Sequence, residues 1–129
     1  MANRIILGLA GLVAVAIGAA QLLAPAAFHE ASGLPAVHDP GALGEIRAVG
    51  AAILGIGGVI TAGVFRPGLS RLSALLGTGF YLAFGAGRAL GVAVDGVPPG
   101  SLLGAMAAEI VLGLACAYVL ARTRVPVAA

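Results

Sequence analysis

Four apolar stretches, each about as long as a bilayer-crossing helix, decide what this chain is able to fold into. Crossing the hydrocarbon layer takes roughly 20 residues of α-helix. The stretches run over about Ile5–Leu23, Gly44–Phe65, Leu72–Val94 and Ser101–Ala121. The first carries no charge, and the other three carry only Glu45, Arg47, Arg88 and Glu109. Hydrophobic residues make up 60% of the 129-residue chain and charged ones 9%, where a soluble domain would have about 25% charged. The reading is an all-α polytopic membrane protein: one four-helix transmembrane domain over residues 1–129, with no room for a separate soluble domain.

Charge distribution sets an expected orientation. Successive spans alternate direction, so both chain ends share a side with the loop between the second and third spans. That side holds Arg4, Arg66, Arg71, Arg122 and Arg124 and no acidic residue. Glu30, Asp39, Glu45, Asp95 and Glu109 fall toward the other side, with Arg47 and Arg88. Positively charged loops stay in the cytoplasm, which predicts both termini inside and the chemistry-bearing residues in the outer half. The net charge of +2 is too small to imply nucleic-acid binding. Arg4 followed by an apolar run and Ala24-Pro25-Ala26 resembles a signal peptide. The run of about 19 residues is longer than a signal core of 7–15, so a retained first helix is expected.

The loop Ala24–Leu43 is the longest connection, and Pro25, Pro35 and Pro40 prevent a long helix there. Pro25–Glu30 is expected as a short interfacial helix with proline in its first turn, and Asp39-Pro40-Gly41 as a turn. Asp95–Gly100 should pack the last two spans antiparallel. Small residues recur at helical spacing: Gly11, Ala14 and Gly18; Gly50 and Gly58; Ala83, Gly87 and Gly91; Gly104 and Ala108; Gly113 and Ala117. Such faces let helix backbones approach closely in lipid, within one bundle or between copies.

An ionised side chain deep in a span costs at least about 2.5 kcal/mol and is expected to face protein, water or a partner. Arg88 lies seven residues before Asp95, and Glu109 nine residues after Gly100. At the helical rise these are depths of about 10 Å and about 13 Å on neighbouring antiparallel helices, which predicts an Arg88–Glu109 ion pair. Glu45 and Arg47 sit shallower and about 200° apart around their helix, so they cannot face the same neighbour. Tyr81, Phe84, Arg88 and Asp95 share one face of the third span, with Thr78 continuing it inward. A purely structural clamp between helices explains the charged pair as readily as a binding site does.

Other signals are weaker. His29 and His38 lie nine residues apart beside Glu30 and Asp39, too sparse for a metal site, and read as solvated loop residues. Cys116, the single cysteine, reads as a small buried hydrophobe. No phosphate loop or nucleophile motif is present, and no cofactor or metal is expected.

Glu45-Ile46-Arg47-Ala48 opening the second span, Gly87-Arg88, Asp95-Gly96-Val97-Pro98 and an acid in the last span resemble a small bacterial membrane family, catalogued as domain of unknown function 4345. The similarity is strongest over residues 45–109. It implies a four-helix bundle of the bacterial inner membrane, akin to DoxX-like proteins, and no activity. The matching residues are Glu45, Arg47, Arg88, Asp95 and Glu109.

Three functions compete on these residues. The leading one is an outward-facing pocket for an amphipathic lipid, isoprenoid or quinone. Arg88 and Arg47 would meet its polar end, and Tyr81 and Phe84 its apolar part. A second is a membrane-embedded acid–base enzyme, of terpene cyclase or isomerase type. There Glu109 would donate a proton that Asp95 or Glu45 recovers. A third is an accessory subunit, paired with another membrane protein or with copies of itself. A channel or transporter is disfavoured by the small helix number and the lack of internal repeats.

Overall fold

The computed structural model describes residues 1–123. Arg124, counted above with the basic side, lies outside the described residues. Five helices form in chain order: α1 (Ala2–Leu23), α2 (Pro25–Ala31), α3 (Pro40–Phe65), α4 (Ser70–Asp95) and α5 (Gly100–Arg122), with a 3₁₀ turn at Pro67–Leu69. Four of them are long and apolar enough to cross a membrane. Helical hydrogen bonding satisfies the backbone through the interior of those segments, the condition for residing in lipid. The protein is a multi-pass membrane protein.

Local chemistry sets the element ends. Asp39 is the N-cap of α3, its carboxylate accepting from the Ala42 N–H at 2.8 Å, and Pro40 fills the first helical position. The Asp39-Pro40-Gly41 turn expected from sequence is therefore the first turn of the helix itself. Gly96, at φ +108°, ends α4 in a conformation reserved for glycine, and Pro98-Pro99 precede α5. The short helix α2 forms where proline and the small residues of Pro25–Ala31 predict it.

Helix α1 packs along α3, α4 packs along α5, and α3 joins the two pairs through α4. The α1–α3 seam is built on glycine. A Cβ on Gly57 would lie 2.7 Å from the Val15 backbone nitrogen, and one on Gly50 2.7 Å from that of Leu22. In the α4–α5 seam, a Cβ on Gly77 would lie 2.6 Å from Cys116 Sγ and one on Gly113 2.6 Å from Leu82. Backbones at this range gain the dispersion contacts that hold helices together in lipid, where hydrophobicity supplies no drive.

Only part of the small-residue pattern is used this way. Gly11, Gly18, Gly50 and Gly113 face neighbours, as their spacing predicts. Gly58, Gly87, Gly91 and Gly104 face open space. In α3 the inward line is Gly50, Ile53, Gly57, Ile60 and Gly63, steps of three and four that keep one face on α1 and α4. The core gathers Leu7, Ala10, Ile60, Ala74, Tyr81, Cys116 and Val119. Its one buried polar side chain outside the aromatic set, Ser73, donates to the Val59 carbonyl at 2.8 Å.

Arginines close the helix ends. Arg4 donates to the Val64 carbonyl at 2.9 Å and Arg71 to the Thr123 carbonyl at 3.4 Å. Both acceptors are terminal carbonyls without an intrahelical partner, and a cation there complements the helix dipole. These contacts gather the start of α1, the end of α3, the start of α4 and the end of α5 at one end of the bundle. Helix α2, Asp95 and Gly100 lie at the other.

Candidate membrane-embedded cavity

At the α2 end the four long helices do not close. They leave a cavity of about 280 Å³ with α2 as its roof. Helix α1 contributes Val13, Ile17 and Gln21, and α2 with the following loop contributes Phe28, His29 and Leu34. From α3 come Ile46 and Ile53, from α4 Phe80, Tyr81, Phe84 and Arg88, and from α5 Leu102, Ala105, Glu109 and Leu112. The aromatic side is preset. The Phe80 ring stands 4.8 Å from Tyr81, edge to face, and 5.0 Å from Phe84.

The expected ion pair forms on this wall. Arg88 Nε donates to Glu109 Oε2 at 2.9 Å and to Oε1 at 3.1 Å. Their side chains retain 33% and 14% exposure, so the pair is partly buried and still borders open volume. Among the described residues it is the one ion pair between side chains. Tyr81 reaches the cavity with its ring, while its hydroxyl donates to the Ala10 carbonyl and ties α4 to α1. Thr78, the proposed inward extension of that face, bonds the Ala74 carbonyl of its own helix at 2.7 Å.

Three of the residues singled out by sequence stand apart from the cavity. Glu45 is exposed and Ile46 takes the inward position beside it. Arg47 donates to the Leu22 carbonyl, closing the end of α1 as Arg4 and Arg71 close the ends of α3 and α5. The rotation between positions 45 and 47 turns both off the pocket. Asp95, the last residue of α4, is exposed. It borders a second hollow of about 220 Å³ between α4 and α5, shared with Arg88, Gly91, Leu102 and Met106. The structure thus brings together Tyr81, Phe84, Arg88 and Glu109, and leaves Glu45, Arg47 and Asp95 outside.

Two residues belong in the set that sequence reasoning did not place there. His29, expected as a solvated loop residue, lies under the roof with Nδ1 buried and unpartnered. Gln21 Oε1 is likewise buried without a hydrogen-bond partner. Buried polar atoms rarely go unpaired, so these two set this end of the bundle apart from the rest of the core. Gln21 carried a usable signal as the one amide in the last turns of an otherwise apolar helix; His29 carried it as a polar residue on a short helix folded back over the bundle. His38 is exposed in the following loop. No group of three or more His, Cys, Asp or Glu side chains among the described residues is arranged to hold a metal.

The roof is tied to the far pair of helices. Ser101 Oγ donates to the Ser32 carbonyl at 2.6 Å, and Gly33, at φ +81°, sits where a Cβ would meet Pro99 at 3.2 Å. The left-handed turn at Gly33 therefore lets the chain leave α2 in contact with the start of α5.

A family model described as "Domain of unknown function (DUF4345)" matches residues 2–120. The chain belongs to this family. The match spans all four membrane helices, α2 and both hollows, so the cavity lies wholly within the family domain. No curated protein and no solved structure matches the chain.

Proposed function

We propose that this DUF4345 protein binds a small amphipathic lipophile, of isoprenoid, quinone or single-chain lipid type, in the cavity beneath α2. The observation that carries this reading is an apolar, aromatic-sided cavity with a charged pair on its wall and orphaned polar atoms under its roof. Small-molecule sites combine predominantly apolar linings with a few convergent polar groups in this way. The volume of about 280 Å³ sits at the small end of the range for ligand pockets, roughly 300–1,000 Å³. It suits a ring or short chain and leaves a whole phospholipid outside.

In this reading Phe80, Phe84, Ile17 and Leu112 hold the apolar body, and Arg88, His29 and Gln21 face the polar end. The bilayer is the bacterial inner membrane, with the arginine-closed end in the cytoplasm and α2 at the outer surface, following the charge asymmetry. Arg47 serves the helix end and takes no part in binding. An acid–base enzyme is the second reading, favoured by one observation: Glu109 is on the cavity wall. Its proposed proton partners Asp95 and Glu45 are off that wall, which leaves His29, Tyr81 and Arg88 as the other titratable groups lining the cavity. Binding without turnover asks less of the site.

The test is purification in mild detergent followed by mass spectrometry of bound small molecules, on wild type and on Ala105→Phe, which fills the cavity from α5. A species retained by wild type and absent from the variant is the expected result. Identical contents in the two proteins would overturn the reading.

A further inference from the structure

The charge arrangement around the cavity restricts the guest further. Arg88 and Glu109 are the two charged side chains that line it, and they are already paired. The guanidinium engages Glu109 through Nε alone; its Nη groups have no hydrogen-bond acceptor among the described residues. The side chain keeps 33% exposure and borders both hollows, so these donors are open to a guest there. They call for an oxygen acceptor. A negatively charged acceptor is a poor answer. Glu109 already neutralises the guanidinium, so an anion on the Nη side meets a pair with no net charge and lies near a carboxylate. Like-charge contact of this kind is strongly unfavourable in a desolvated interface.

Resting on the binding reading above, we infer that the polar end of the guest is an uncharged oxygen acceptor, a carbonyl of a ketone, quinone or ester, held by the Nη groups of Arg88. Glu109 acts as a charge filter. It spends the positive charge of Arg88 while leaving most of its donors free, so the site rejects fatty carboxylates and prenyl or alkyl phosphates that an isolated arginine would attract. The second hollow shares Arg88 and Leu102 with the cavity. A neutral guest enters from the bilayer without carrying charge through hydrocarbon.

The experiment uses the full chain in lipid nanodiscs at slightly alkaline pH with three probes matched in chain length: hexyl methyl ketone, octanoate and octyl phosphate. Saturation-transfer NMR with competition, against empty nanodiscs, ranks their binding. Wild type is expected to bind the ketone at least about tenfold more tightly than either anion. Glu109→Gln frees the charge of Arg88 and is expected to reverse the order in favour of octanoate. Wild type preferring octanoate or octyl phosphate would overturn the charge filter and leave the cavity reading standing. If wild type binds none of the three, the cavity reading falls and this inference with it. The ranking on wild type decides the matter even where Glu109→Gln fails to fold.

Discussion

The two ends of the bundle place different residue types at their helix contacts and reach opposite results. At the end holding the chain termini, small residues and glycines meet across the seams. Ala74 and Cys116 have no exposure, and Ser73 spends its hydroxyl on a neighbouring carbonyl. At the α2 end the α1–α3 seam stays closed at Gly18 and Gly50. Aromatic rings, a guanidinium and a carboxylate hold that pair off α4 and α5, and the space between the pairs stays open. One end has its polar groups satisfied by backbone; the other keeps buried Gln21 and His29 atoms unpaired and Arg88 donors unspent. The difference teaches that in lipid a void is made by choosing which contact positions receive large or polar side chains. A protein with nothing to hold would close the space between the two helix pairs at both ends, since tight packing is its main source of cohesion.

The sharpest way to break the closed end is to widen its seam. Gly57→Leu places a side chain where even a Cβ would lie 2.7 Å from backbone. A loss of about 3 kcal/mol is expected, read by denaturant titration in mixed micelles. At the open end, Arg88→Met strands Glu109 in a partly buried position. It is expected to cost about 2 kcal/mol, below the range for fully buried pairs because both side chains keep some exposure. The double variant Arg88→Met with Glu109→Met should recover most of that loss in the same titration. Full additivity of the two single losses would show that the pair does not interact. Tyr81→Phe removes the hydroxyl that joins α4 to α1 at the floor of the cavity, at a cost of about 1 kcal/mol. Gly58→Ala should do the opposite of Gly57→Leu: its Cβ enters open space, and the better helix former should gain about 0.5 kcal/mol. A marked loss there would mean that the face is covered by a partner.

The spans were legible because lipid enforces length and apolarity together, and each helix contains its predicted stretch. The ion pair was legible for a related reason: two charges at matched depth on adjacent antiparallel helices have few other partners. Glu45 and Arg47 both stand off the cavity, because their depth and the angle of about 200° between them leave the absolute rotation of α3 open. Arg47 has a terminal carbonyl of α1 within reach, a partner that sequence does not display. His29 was misjudged because its burial depends on α2 folding back over the bundle, a tertiary event set by Gly33 and by the Ser101 bond to Ser32. The glycine faces split for the same reason. Spacing identifies a stripe, while the choice between Gly57 and Gly58 as the inward residue is made by the partner helix.

The contact between Ser32 and Ser101 joins residues 69 positions apart. During synthesis the roof helix emerges early, with neither its anchor nor the carboxylate that neutralises Arg88. Both arrive with α5, the last of the five described helices in chain order. Until α5 joins, the unfinished bundle exposes an unbalanced cation and an untethered flap, so the receptacle depends on its most distant segment.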